Sequence, residues 1–158
     1  MSDGIVFNNG EFVTPEDATM SIFDMGFVWG DCAYDVTSVW NGWFFMLEAH
    51  LDRFLSSCEG FRLESRYSRD DIRRICAECV ERTGLDEAYV KLQMTRGVAR
   101  HEPRAAECCF VAYAVPYVWI WGEEKCRHGA NLYLSKTERV SSKAIDQRIK
   151  NYNRADLV

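Results

Sequence analysis

The chain has 158 residues, 47% of them apolar and 13% aromatic, enough to bury the core of one medium domain or of one domain and the beginning of another. Its formal net charge of −5 argues against nucleic acid as a partner, because phosphate backbones attract clustered positive charge. No run reaches the roughly 20 apolar residues that span a bilayer. The opening Met1-Ser-Asp-Gly has no signal-peptide pattern, and seven cysteines set among apolar residues read as reduced thiols, so a cytoplasmic chain with no membrane partner is expected.

Ile5–Phe7 and Glu11–Val13 flank Asn8-Asn9-Gly10, residue types that tolerate positive φ, and this predicts a hairpin. Tyr34 to Trp40 alternates, with Tyr34, Val36, Ser38 and Trp40 on one side. Asn41-Gly42 then turns into Trp43–Leu47, a second hairpin. Leu47, Leu51, Phe54, Leu55, Cys58 and Phe61 recur at helical spacing and predict an amphipathic helix stopping near Gly60. A second helix opens at Ser68, with Asp71 as the acidic half of a capping box, and stops near Gly84. Tyr89–Thr95 and Cys108–Val115 read as strands joined by the basic loop Arg96–Arg104, and Ala130–Thr137 reads as one more. A helix is expected to start near Asn151. Hairpins, helices and further strands in that order give an α+β fold. The Trp119–Gly129 stretch is the expected boundary, which divides the chain into residues 1–120 and 121–158.

Cys76-x-x-Cys79 lies on the apolar face of the second helix and has no second ligand pair, so it reads as core packing rather than a redox or metal site. His50, His101 and His128 have no metal-ligand spacing, and no metal is expected. Neither a G-x-S-x-G elbow nor a phosphate-cradling P-loop is present, which leaves serine-hydrolase and nucleotide-hydrolase readings without support. Arg53 lies about 130° around the helix from its apolar stripe. It is either a solvated surface arginine or an anion clamp whose planar fork matches phosphate oxygens. Lys150 follows an apolar segment. It is either a solvated charge or a partly desolvated, nucleophilic amine. Spacing alone does not choose in either case.

Taken together, several segments resemble the class IV (fold type IV) aminotransferases, which depend on pyridoxal 5'-phosphate (PLP). They are Ser21–Phe27, Gly30-Asp31, Tyr34-Asp35-Val36, Phe45–Phe54, Thr95-Arg96-Gly97 and Asp146–Asn151, in family order. Thr37–Gly42, Pro116–Trp119, Thr137–Val140 and Ala144–Asp146 are most similar to the (R)-selective amine transaminases, from which Trp29 departs. The resemblance implies the small antiparallel α+β domain of that fold over residues 1–120 and the start of the larger PLP-binding domain over 121–158. It implies amino-group transfer between an amine or amino acid, R- or D-configured, and a keto acid or ketone, in a homodimer. Lys150 matches the family's Schiff-base lysine, Arg53 the arginine that binds the cofactor phosphate, and Tyr34 a tyrosine on the substrate side. Trp29 falls at a position facing the substrate pocket. Arg96, Arg100 and Arg104 sit on the loop that recognises a substrate carboxylate in related enzymes, with Arg100 taken as the candidate. Family members continue well past the lysine, so residues 1–158 are expected to be an N-terminal portion. Two other readings stand beside this one: another class IV member, branched-chain aminotransferase or aminodeoxychorismate lyase, or a non-catalytic dimerising fragment.

Overall fold

The computed structural model describes residues 4–99 and 101–154. β1 (Ile5–Asn8) and β2 (Glu11–Val13) form the first hairpin, with Asn9 and Gly10 both at positive φ. A short helix α1 (Met25–Trp29) precedes β3 (Cys32–Trp40) and β4 (Trp43–Phe44). Then come α2 (Leu47–Gly60), α3 (Arg69–Thr83), β5 (Ala88–Thr95), a 3-10 turn over Pro103–Ala105, β6 (Cys109–Pro116) and α4 (Gly122–His128). The strands make one sheet in the order β2-β1-β6-β5-β3-β4, with every neighbouring pair antiparallel. This is the α+β architecture that the sequence predicts, a small antiparallel sheet flanked by helices.

The period-2 alternation of the strands divides the sheet into two unlike faces. Ala33, Val39, Val90, Leu92, Met94, Phe110 and Ala112 point inward and are buried against the helices. Leu51, Phe54 and Cys58 of α2 meet them, as do Ile72, Ile75, Cys76, Cys79 and Val80 of α3. Each fully buried aliphatic or phenyl side chain contributes about 1.5–3 kcal/mol. Cys76 and Cys79 belong to this core. Burial pushes both thiols up, Cys79 to about 12, and the Cys79 thiol donates to the Ala112 carbonyl. The opposite face presents Tyr34, Val36, Ser38 and Trp40 of β3 with Tyr89, Lys91 and Gln93 of β5.

Helix ends follow local chemistry. Ser68 and Asp71 make the reciprocal capping box at the start of α3, and Gly84 caps its end in the left-handed region at φ 67°. α1, which was not predicted, is framed the same way: Asp24 accepts from the Gly26 N–H and Gly30 sits at φ 68°.

Three expectations are corrected. The strand expected through Trp43–Leu47 is only Trp43–Phe44, because Met46 turns the backbone left-handed and Leu47 already opens α2. Ala130–Thr137 forms no strand: no neighbouring strand pairs with it among the described residues, and Leu132, Tyr133 and Leu134 are exposed. The helix expected near Asn151 is not formed over Asn151–Arg154. Asn151 instead bridges to Ala33, and its amide satisfies the Ile149 carbonyl and the Asn153 N–H, which competes with helical bonding. Among the described residues, no helix is long and apolar enough to cross a membrane.

Gly97 has φ 80°, and a β-carbon there would run into the Glu107 carbonyl. Gly42 has φ 76° with open space around it. Gly97→Ala is expected to destabilise by about 3 kcal/mol or more, combining left-handed strain with backbone collision, and Gly42→Ala by only about 1–2 kcal/mol. Urea denaturation of both variants checks the difference.

Candidate active site

Tyr34 and Asp35 are consecutive on β3 and so face opposite sides of the sheet. Asp35 points toward α2 and is fully buried. His50 and Arg53, one turn apart on α2, share the helix face that meets it. Arg53 donates from Nε to Oδ2 at 2.6 Å and from Nη2 to Oδ1 at 2.7 Å, a two-pronged pairing. His50 Nδ1 lies 2.8 Å from Oδ1, and the Val36 N–H donates to the same oxygen at 2.7 Å. An ionised carboxylate only accepts, so Nδ1 carries the proton in this arrangement. Burial alone pushes the Asp35 carboxyl up, but the bonds from Arg53, His50 and Val36 outweigh it and hold the group below its ordinary value. Asp35 in turn raises the Arg53 guanidinium further. The Arg53 side chain remains half exposed, and among the described residues its Nη1 has no acceptor.

Lys150 reaches the same place from the far end of the chain. Its backbone N–H donates to Ser57 Oγ at 3.1 Å, and Ser57 Oγ donates to the Arg53 carbonyl at 2.8 Å. The Lys150 carbonyl accepts from the Tyr34 N–H at 3.1 Å. Ile149, just before it, lies against Gly60, where a β-carbon would come within 2.7 Å of Ile149 Cδ1. With its backbone held between helix and strand, Lys150 lays its Nζ 4.4 Å from the centroid of the Tyr34 ring. No carboxylate pairs with that amine among the described residues. Tyr34 also stacks on Tyr152 at 4.5 Å and 23°, and the Tyr152 hydroxyl donates to Gln93 Oε1 at 2.7 Å.

The fold thus lays Lys150 over Tyr34 and ties the Lys150 backbone, through Ser57, to that of Arg53. Trp29 ends α1 and is 71% exposed, and the carbonyl of the next residue, Gly30, accepts from the Asn153 side chain. Arg100 lies outside the described residues. Arg96 is engaged by Asp31 and by the carbonyls of Phe61 and Arg62. It lines, with Arg104, a cleft of about 720 Å³ that contains neither Tyr34 nor Lys150. Asp35, His50, Ser57, Lys91 and Tyr152 were not singled out from sequence. The available signals were an aspartate in the inward phase of an alternating strand and the i, i+3 spacing of His50 and Arg53.

Arg53→Ala leaves the buried Asp35 without its main counter-charge and is expected to destabilise by about 2–3 kcal/mol. Because the Asp35 carboxyl is held below its unfolded value of about 3.9, its contribution is complete above about pH 4 and is lost as pH falls through the folded value. Asp35→Asn is expected to flatten that acid limb of stability, which denaturant titration between about pH 2 and pH 7 measures.

Residues 32–158 match the family model described as amino-transferase class IV. Over 116 residues the chain is 34% identical to the D-alanine aminotransferase of Staphylococcus aureus (strain MSSA476), covering 71% of this chain and 41% of that protein. Over 125 residues it is 28% identical to a putative branched-chain-amino-acid aminotransferase of Methanocaldococcus jannaschii, covering 77% and 43%. The chain therefore spans about two fifths of the length of these curated relatives. In fold it is similar to the branched-chain aminotransferase of the thermophilic archaeon Thermoproteus uzoniensis, solved with norvaline. The TM-score is 0.79 at 19% identity, over 90% of this chain and 49% of that one. With the family model matching most of its length, this chain belongs to the class IV aminotransferases.

Proposed function

We propose that the chain contributes the lysine, the phosphate-binding arginine and the substrate-side aromatic wall of a PLP-dependent transaminase. In this reading the enzyme transfers an amino group between an R- or D-configured amine or amino acid and a keto acid or ketone, as a homodimer. The observation that carries it is the Lys150 amine, unpaired among the described residues and laid over Tyr34, with its backbone tied through Ser57 to the helix that holds Arg53. The 34% identity to a D-alanine aminotransferase supports the D-configured form of the substrate. The likeness of Thr37–Gly42 to (R)-selective amine transaminases supports the R-configured amine.

The residues present fit PLP. Among the described residues Arg53 Nη1 has no acceptor, and half of the side chain is exposed, which suits a phosphate oxygen, while Asp35 holds the fork in one orientation. Lys150 offers an amine to the aldehyde, and Tyr34 and Tyr152 offer flat faces beside it. When bound, PLP supplies an electrophilic carbon for covalent attachment and a ring that delocalises the electron pair released at the substrate carbon. Lys150 Nζ, in its neutral form, would accept the proton from that carbon and deliver it to the cofactor carbon that takes over the nitrogen, so that the substrate carbon is left as a carbonyl after hydrolysis. Its backbone anchors at Ser57 and Tyr34 keep Nζ on one face through the transfer. Asp35 acts through Arg53 and is a positioning residue.

In the protein carrying this chain, loaded with PLP, borohydride is expected to fix the cofactor mass onto the peptide containing Lys150. Lys150→Ala is expected to lose that label and transamination together. Labelling elsewhere, or normal turnover in the variant, overturns the reading. D-alanine is expected to serve as amino donor in preference to L-leucine. The reverse preference, read by keto-acid release, would favour the branched-chain alternative, and pyruvate release from aminodeoxychorismate would favour the lyase.

A further inference from the structure

His50 makes a bond that Asp35 does not need for neutrality. The Arg53 fork already reaches both oxygens of that carboxylate, Nε on Oδ2 and Nη2 on Oδ1, and balances its charge. The Val36 N–H adds a bond to Oδ1 from the strand itself. His50 Nδ1 comes to the same oxygen at 2.8 Å, so Oδ1 takes donors from three groups and Oδ2 from one. Arg53 Nη2 and His50 Nδ1 are 3.2 Å apart, two donors converging on one acceptor. The imidazole is largely covered, with 20% of its side chain exposed, and the His50 backbone N–H donates to the Met46 carbonyl in the first turn of α2.

This crowding has a direction. The torsion that turns an aspartate carboxylate is soft, and a guanidinium paired two-pronged with it shares its plane. A turn of the Asp35 carboxylate therefore carries the Arg53 fork with it and swings Nη1, which has no acceptor among the described residues. The His50 bond comes from α2, while the Val36 bond comes from β3, and together they fix Oδ1 from two elements. The imidazole N–H also draws on carboxylate charge that Arg53 would otherwise take up, which leaves the guanidinium more strongly positive toward an incoming anion.

We propose that His50 is a positioning residue for the cofactor phosphate: by donating from Nδ1 to Asp35 it holds the Arg53 fork so that Nη1 meets a phosphate oxygen. This deepens the reading of Arg53 given above and rests on it. The role belongs to the grip on the phosphate and not to proton transfer at Lys150. Its loss is therefore felt by PLP and not by pyridoxal, which has the same ring and aldehyde without the phosphate. A histidine that only packed α2 against the sheet would, when replaced, weaken both compounds alike.

The test titrates the apoprotein carrying this chain with PLP and with pyridoxal, dissociation constants being read from the change in visible absorbance. The ratio of the two constants isolates the phosphate contribution. His50→Phe, which keeps the bulk of the ring without a donor, and His50→Ala are each expected to lower the preference for PLP about fivefold or more, and to change pyridoxal affinity less than about twofold. His50→Asn, whose side-chain N–H stands where Nδ1–H stood, is expected to keep most of the preference. Equal weakening of PLP and pyridoxal, an unchanged preference in His50→Phe and His50→Ala, or a His50→Asn as impaired as they are overturns the proposal while leaving Lys150 and Arg53 in their roles. Failure of both donor-less variants to fold, read by circular dichroism, assigns His50 to stability and also overturns it. An unaltered protein that binds PLP no better than pyridoxal removes Arg53 from the phosphate and this inference with it. Absence of borohydride labelling at Lys150 in the unaltered protein removes the transaminase reading as well.

Discussion

A buried carboxylate governs this architecture. Asp35 is sealed between β3 and α2, where an unpaired charge would be costly, and both Arg53 and His50 are recruited from one helix face to satisfy it. That requirement sets the rotation and height of α2 on the sheet more tightly than apolar packing alone, because a two-pronged ion pair has a direction and a Leu–Val contact does not. Ser57 sits one turn beyond Arg53 and so comes to rest where the Lys150 N–H finds it. The location of the Lys150 backbone is thus a downstream result of a salt bridge it never touches.

Charge is distributed by side of the molecule rather than by sequence. Glu48, Asp52 and Asp70 pair with Arg69 and Arg73 across the outward surfaces of α2 and α3, where solvent screens them and each pair contributes little. The sheet face beyond β3 collects Lys91, Lys150 and Arg154 among tyrosines. A chain that is acidic overall therefore presents a local positive field on one face of its sheet, and net charge is a poor guide to what that face attracts.

What could be read from the sequence was whatever neighbouring residues decide among themselves. The ends of α3 follow from Ser68, Asp71 and Gly84, the first hairpin from Asn9 and Gly10, and the core stripe of α2 from its spacing. Arg53 was ambiguous because its partner is 18 residues away on a strand, and helical periodicity contains no information about that strand. Ala130–Thr137 has the composition of a strand, but composition does not supply the neighbour a strand must bond to. Lys91, a single lysine in an apolar run, has the sequence pattern of an ordinary outward residue. Only the register, which sets it between Val36 and Tyr113, reveals its tyrosine surroundings. The family resemblance supplied what periodicity could not, the pairing of Lys150 with Arg53 and Tyr34.

The adjacency of Tyr34 and Asp35 also limits how this protein can diverge. Inserting or deleting one amino acid within β3 ahead of them would exchange their directions, sending the phenol into the helix layer and the carboxylate out among the cations. Length changes in this stretch are therefore confined to the turns that bracket the strand, around Gly30 and Asn41-Gly42. Homologues that keep the chemistry should differ there in loop size and agree in the strand's residue count.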